Sequence, residues 1–386
     1  MKRIATDRLA RVSSEVRIAL LGTRGVPARY GGFETAVEEI GAGLAARGHD
    51  VTVYCRTIVG PGPSTYRGMR RVVLPALRRK ALETLTHTGL STLHAAIRRR
   101  PDAALVFNAA NAPYVALLRA AGIPVCLHLD GHDARRAKWR GIGAVYYRWA
   151  TRFGSRVAHE VVVDSRAVQQ ELASSFGFQS RYIAYGAPER RPTHGEVADA
   201  LRHLELEPGG YHLIVARFEP ENHVLDLVQG FVASSAELPL VVVGFEGYPS
   251  DYTVSVARAA ASDPRVRLLG PVWEQPLLDA LYAGARSYLH GHSVGGTNPS
   301  LLRAMAQGSA VIAYDCPYNR ETTADDALWF DSPEDVGDLV KLAEVDADEA
   351  RAMGERGSAR VRADYRWADV TDGYERLALD LAARRG

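Results

Sequence analysis

His290-Gly-His-Ser-Val-Gly-Gly-Thr-Asn-Pro-Ser-Leu-Leu-Arg-Ala-Met305 reads as the end of a buried strand, a glycine loop and a helix that starts abruptly. Apolar residues around Tyr288 and Leu289 fit the strand, Gly295 and Gly296 permit backbone conformations closed to residues with a Cβ, and Pro299 suits the first helical position. Asn298 is then the N-cap, its side chain accepting from a first-turn amide, and the positive end of the helix dipole faces the loop. A terminus of this kind holds an anion, most often a phosphate. Junctions like it occur throughout α/β proteins, so the reading depends on what the rest of the chain adds.

A second glycine loop lies near the start. Val16-Arg-Ile-Ala-Leu-Leu21 is a short apolar strand, Gly22 to Phe33 a loop, Glu34 to Arg47 a helix ended by Gly48, and Val51-Thr-Val-Tyr54 the next strand. This β-loop-α-β unit opens a doubly wound parallel sheet. Its glycines do not spell G-x-G-x-x-G, which removes the main support for a nicotinamide or flavin site. Apolar runs at Ala103–Phe107, Pro124–Leu129 and Glu160–Val163 continue the sheet. Tyr185 to Gly195 breaks into proline, glycine and charge and reads as a linker. A second sheet follows at Tyr211–Ala216, Pro239–Gly244, Val266–Gly270, the strand near Tyr288, and Val311–Tyr314. Trp367 to Arg385 has helical spacing through Val370, Tyr374, Leu377 and Leu381.

In open parallel sheets ligands sit beyond the carboxyl ends of the strands, which selects Asn108, Asp130, His132, Asp164 and Ser165. Asp130 and His132 are the candidates for chemistry, although Asp130-Gly131 is also a common turn pair and His132 could simply cap a helix. Arg217 follows directly on a strand, a good place for a fixed guanidinium that binds phosphate through paired donors. An ion pair with Glu219 or Glu221 is the competing reading. Asp346-Ala-Asp348 has the D-x-D spelling of a metal motif but lies in an acidic, helical surface stretch and reads as solvated charge.

The chain has 386 residues, 47% of them hydrophobic, enough for two domains with substantial cores. No apolar run is long enough to span a bilayer or form a signal-peptide core, which points to a cytoplasmic protein. Cys55, Cys126 and Cys316 are too few and too scattered for a disulfide framework or a zinc site and read as core residues. A net charge of +2 hides an asymmetry: Met1 to Gly195 carries 30 Lys and Arg against 14 Asp and Glu, and the remainder 17 against 31. The two halves could attract each other. Clusters at Arg67–Lys80, Arg98–Arg100 and Arg135–Arg140 favour instead an anionic partner, a membrane leaflet or a lipid diphosphate. No nucleic-acid module accompanies the charge.

Five blocks then carry a resemblance: Thr23-Arg-Gly-Val-Pro-Ala-Arg-Tyr-Gly-Gly-Phe-Glu-Thr35, Asp130-Gly131 with Arg136-Ala-Lys-Trp139, Ala216-Arg-Phe-Glu-Pro-Glu-Asn222, Gly291 to Leu302, and Asn319-Arg-Glu321. Together they resemble retaining GT-B glycosyltransferases of glycosyltransferase family 4, in the rhamnosyltransferase-like branch, over roughly Val16 to Tyr374. The resemblance implies an α/β fold of two Rossmann-like doubly wound domains facing across a cleft. A polar tail would occupy residues 1–15, the acceptor-side domain 16–190, the nucleotide-sugar domain 191–365, and a helix at 366–386 would cross back to the first domain.

The same resemblance implies a retaining, metal-independent glycosyltransferase without a cofactor. It would move a hexose or deoxyhexose, rhamnose first, from deoxythymidine diphosphate rhamnose or uridine diphosphate glucose to a lipid-linked or polysaccharide acceptor at the cytoplasmic face of a membrane. Asp130, His132 and Arg217 are the implied catalytic set. Gly25, Gly31 and Gly32 of the first domain and Asn222, Val272, Gly295, Gly296, Thr297, Asn298, Ser300 and Arg303 of the second are the implied donor-binding set. Many family members carry two glutamates eight residues apart where this chain has Gly295 and Arg303. That departure implies altered donor geometry or an extra cation near the phosphates, and it motivates a second reading as a catalytically silent scaffold or regulatory partner. Retaining transfer tolerates the loss in principle, because the leaving diphosphate can itself accept the proton of the incoming hydroxyl.

Overall fold

A computed structural model gives the fold and describes residues 15–28, 32–60, 62–77, 82–129, 141–245 and 250–385. Two compact units form: Met1–Leu129, Trp149–Val162 and Thr371–Gly386 make the first, Asp130–Arg148 and Val163–Val370 the second.

The chain begins with β1 (Arg17–Leu21), α1 (Gly32–Ala46), β2 (Asp50–Arg56), β3 (Thr65–Tyr66), β4 (Met69–Leu74) and α2 (Leu82–His94), which runs on into a π-helical turn at Ala95–Arg99. Next come β5 (Ala103–Phe107), α3 (Ala112–Ala120), β6 (Val125–Leu129), α4 (Ile142–Val157), β7 (Glu160–Val163), α5 (Arg166–Phe176) and β8 (Arg181–Tyr182). The sheet order is β3-β4-β2-β1-β5-β6-β7-β8. Pairing from β4 through β2, β1, β5 and β6 is parallel, and β3 is antiparallel to β4.

Central strands of this sheet are continuous apolar runs because helices cover both faces, and every residue of β5 and β6 is buried. His128 is the exception in type. Burial holds its ring pKa down at about 3, so it is neutral, and it stacks on Phe107 at 5.2 Å between centroids. The last helix closes the first unit: Glu375 takes Arg47 Nη1 at 2.7 Å and His49 Nε2 at 3.1 Å, and Arg385 Nη1 reaches Asp102 Oδ1 at 2.8 Å.

After α6 (His194–Arg202) the second sheet is built from β9 (His212–Arg217), α7 (Val224–Ala233), β10 (Leu240–Phe245), α8 (Asp251–Ala261), β11 (Val266–Gly270), α9 (Gln275–Gly284) and β12 (Ser287–His290). It continues with α10 (Pro299–Gln307), β13 (Ala310–Tyr314), α11 (Pro317–Thr323), β14 (Leu328–Phe330), α12 (Pro333–Val345), α13 (Ala347–Asp364) and α14 (Trp367–Ala383). All six strands are parallel in the order β11-β10-β9-β12-β13-β14. Ile214, Leu227, Phe231, Val242, Leu289 and Ile312 belong to its core. The order reverses direction between β9 and β12, the topological switch where such sheets bind ligands.

Every strand expected from the sequence is present, with ends displaced by at most two residues. The β3–β4 hairpin and the short strands β8 and β14 were not expected. Tyr185 to Thr193 is irregular but packed, with Tyr185 and Ala187 buried and Ala187 bridged to Arg366. Asp346 caps α13, accepting from the Glu349 amide at 3.1 Å, which accounts for the first acid of the D-x-D spelling. Cys55, Cys126 and Cys316 are buried in the core, and none of them is in a disulfide. Among the described residues no helix is long and apolar enough to cross a membrane, and no group of three or more His, Cys, Asp or Glu is placed to hold a metal ion.

Candidate functional site

The site of the second unit forms where β9 and β12, adjacent parallel strands, end in two loops that interlock. Arg217 is the last residue of β9 and is half-buried. Its carbonyl accepts from the Asn222 side-chain amide at 2.8 Å, and Asn222 Oδ1 in turn accepts from His292 Nδ1 at 2.6 Å. Ser293 adds two bonds to the Glu221 carbonyl, from its amide and its hydroxyl, each 3.0 Å. A Cβ on Gly291 would overlap the Asn222 carbonyl, so the backbones approach as closely as only glycine allows. On the other side Asn319 of α11 donates to the carbonyls of His292 and Tyr314, both at 2.9 Å. The loop after β12 is therefore pinned from both neighbouring strands.

Helix α10 starts as its sequence predicts. Asn298 is the N-cap in extended backbone and accepts from the Ser300 amide at 2.9 Å, with Pro299 at the first helical position. The Ser300 hydroxyl also donates to Asn298 Oδ1, at 2.7 Å. Because that oxygen only accepts, Ser300 must receive its remaining bond from the Tyr288 hydroxyl, 3.0 Å away. Tyr288 oxygen then accepts from His290 Nδ1 at 3.1 Å. Burial keeps His290 neutral, its pKa held down at about 3. Tyr288 also lies 3.4 Å from the Val215 carbonyl, so Ser300 sits over the two strands that carry Arg217 and the glycine loop.

The remaining expected residues of this unit fall into two kinds. Gly295 has φ +129°, a conformation that favours glycine. Gly296 is pressed against Asp164, whose Oδ1 an added Cβ would overlap, and the Thr297 hydroxyl donates to the Asp164 carbonyl at 2.6 Å. These two residues thus anchor the loop to the end of β7. Arg303 is fastened to α9, with Nε 2.7 Å from Asp279 Oδ1 and Nη1 2.7 Å from Gln275 Oε1. Its charge is matched by Asp279 within the protein. Val272 is half-buried after β11, at the far edge of the sheet.

In the first unit Gly25 has φ +100° and backs onto Cys55, 2.5 Å from where a Cβ would stand, and Gly32 is the first residue of α1. Gly31, Asp130 and His132 lie outside the described residues, as do the basic Arg78–Lys80 and Arg135–Arg140. Sequence reasoning passed over Tyr288, His290 and His292 as strand and loop filler; the polar letters inside an apolar strand end were the available signal. It also quoted Glu321 without a role: its carboxylate caps α5, accepting from Ser165 Oγ at 2.6 Å and from the Arg166 and Ala167 amides at 2.8 Å.

Comparison with known proteins agrees with the two-sheet fold. Residues 31–186 match the model of a glycosyl transferase 4-like domain, and residues 230–375 that of a glycosyl transferase-like domain. Curated protein sequences contain no match. Among solved structures, sucrose-phosphate synthase from Thermosynechococcus elongatus is similar at 21% identity and TM-score 0.78, covering 95% of this chain and 99% of that one. Anabaena HepE in complex with UDP-glucose is similar at 15% identity and TM-score 0.77, covering 95% and 100%. The α,α-trehalose 6-phosphate synthase of Burkholderia multivorans follows at 13% identity and TM-score 0.68, covering 96% and 97%. With both halves matched to transferase domains and two parallel sheets carrying them, the chain is a glycosyltransferase of the GT-B, family-4-like type.

Proposed function

We propose that the second unit holds a nucleoside diphosphate sugar with its diphosphate at the start of α10 and against Arg217. The sugar, a hexose or deoxyhexose, passes to a hydroxyl of a lipid-linked or polysaccharide acceptor at a membrane surface, with retention at the anomeric carbon. The observation that carries this reading is the Asn222 side chain, which braces the end of the Arg217 strand against the loop leading into α10. A guanidinium, a capped helix terminus and a rigid glycine loop stabilise negative charge without a metal ion, and their cost of ordering is met before the ligand arrives.

In this mechanism the anomeric carbon–oxygen bond to the diphosphate breaks as the acceptor hydroxyl bonds to the same face. The hydroxyl proton passes to the departing phosphate oxygen, so no side-chain nucleophile is needed. Asp130 and His132 position the sugar or the incoming hydroxyl. The similar HepE structures, in complex with UDP and with UDP-glucose, support uridine diphosphate glucose as the donor to test first, with deoxythymidine diphosphate rhamnose beside it.

A thermal-shift panel of nucleotide sugars tests the reading, because a ligand that binds only the native state raises its melting temperature with affinity. The expected result is stabilisation of the wild type by at least one donor, persisting in excess chelator, and none in Arg217→Ala. A wild type that no nucleotide sugar stabilises, or an Arg217→Ala variant that responds like it, would refute the phosphate assignment. The anomeric configuration of the product, read by NMR, decides retention.

A further inference from the structure

Helix α2 is built inside out. Its buried residues are Glu83, His87, Thr88, Ser91 and Thr92, a wholly polar set. Glu83 takes Arg56 Nη1 at 3.1 Å and Arg24 Nη2 at 3.4 Å, and the Ser91 hydroxyl bonds back to the His87 carbonyl at 2.8 Å. Three of its four leucines face outward instead, Leu82 40% exposed, Leu90 42% and Leu93 57%, with Leu85 half-buried, and Ile97 in the π-helical turn reaches 62%. Spacings of eight, three and four residues put Leu82, Leu90, Leu93 and Ile97 on one row of the helix surface. Leu77, 57% exposed, joins the row, because its amide donates to the Thr86 hydroxyl at 3.1 Å, and Thr86 lies between Leu82 and Leu90.

An ordinary surface helix turns such a stripe toward the core. Here the core side is taken largely by polar groups, and among the described residues nothing covers the stripe, which leaves it for an apolar partner. Charge selects what that is. Between Leu82 and Arg100 the only acid is Glu83, which is buried and paired, whereas Arg98 and Arg100 are exposed at the end of the stripe. Beside the row the Tyr114 ring packs over Gly89, and an aromatic ring with a hydroxyl at its rim suits the boundary between acyl chains and headgroups. A second copy docking on a two-fold axis would bring this cationic end toward its own like charge in many registers. An acyl layer beneath anionic headgroups satisfies both the leucines and the arginines.

We infer that the outward row Leu77, Leu82, Leu90, Leu93 and Ile97 is a membrane-docking face that lies in the headgroup layer of an anionic leaflet, with Arg98 and Arg100 on the lipid phosphates. This deepens the membrane part of the proposed function, and its test does not depend on sugar transfer.

The full chain is sedimented with phosphatidylcholine vesicles, with and without phosphatidylglycerol. Wild type binds the anionic vesicles, and added salt weakens the binding. Leu93→Asp with Ile97→Asp lowers the bound fraction about tenfold or more with an unchanged melting temperature, while Arg98→Gln with Arg100→Gln removes the preference for anionic lipid. If the aspartate pair fails to fold, Leu90→Gln with Leu93→Gln replaces it. Wild type left in the supernatant with both vesicle types, or an aspartate pair that binds as wild type does, overturns the inference. So does a dimer, seen by analytical ultracentrifugation, that the same substitutions dissociate without any vesicle binding. Stabilisation by uridine diphosphate glucose is measured on the same samples, so loss of docking and loss of the transferase reading are separately visible.

Discussion

The Asn222 side-chain amide donates to the Arg217 carbonyl at 2.8 Å while its oxygen accepts from His292, so one buried residue fixes where the guanidinium leaves the sheet. Asn222→Ala removes both bonds and leaves a carbonyl and a ring nitrogen unmatched, at about 1–3 kcal/mol of stability. Arg217 itself remains. Donor affinity should fall roughly tenfold through lost positioning rather than lost charge, and calorimetric titration of Asn222→Ala beside Arg217→Ala checks the ordering. Equal donor affinity in wild type and Asn222→Ala would remove the bracing argument.

Gly296 admits no side chain, since a methyl group would overlap Asp164 Oδ1. Gly296→Ala is expected to destabilise the chain by roughly 1–3 kcal/mol through overpacking. Adding Asp164→Ala should return part of that loss, a coupling that chemical denaturation of the single and double variants reads directly. Simple additivity would mean that the loop is held elsewhere.

Arg303 stands where the family resemblance leads one to expect a carboxylate, and Asp279 and Gln275 already hold it. Arg303→Ala should therefore cost about 1–2 kcal/mol by removing the ion pair of Asp279 and leaving its carboxylate with only the Gln307 side-chain amide, and Asp279→Asn in the same chain should restore some of it. A double-mutant cycle on melting temperature measures the pair. No coupling between the two positions would release Arg303 for a role at the phosphates.

Acid sensitivity should come in part from Glu344. Burial pushes its carboxyl up, but the His212 ring and the Leu238 and Glu237 amides outweigh that and bring its pKa down to about 2. A depressed carboxylate contributes its full stability above the ordinary value of 4.5 and loses it as pH falls through the folded value, so the window runs from pH 4.5 to about 2. Glu344→Gln should flatten urea midpoints across that window relative to wild type. Parallel curves would place the acid limb on other groups.

The parallel strands were legible because a strand covered on both faces must be apolar throughout, and Asn298-Pro299 announced the helix start without tertiary help. The network around it was not. Arg303 meets Asp279 from 24 residues away, Glu321 meets Ser165 from 156, and no local pattern encodes such pairs. Gly296 was legible as a special glycine but for a different reason: the sequence suggested close approach of a phosphate, and the structure shows close approach of Asp164. Helix α2 escaped notice because periodicity reports that leucines share a face, not which way the face turns.

Residues 371–386 belong to the first unit although nearly the whole second unit is threaded in between. During synthesis the amino-terminal sheet is therefore made first and finished last: Arg47 and His49 wait for Glu375, and Asp102 for Arg385, until those residues have left the ribosome. The nascent first unit is therefore completed only after every residue of the second has been made, and its contacts to Glu375 and Arg385 are among the last to form.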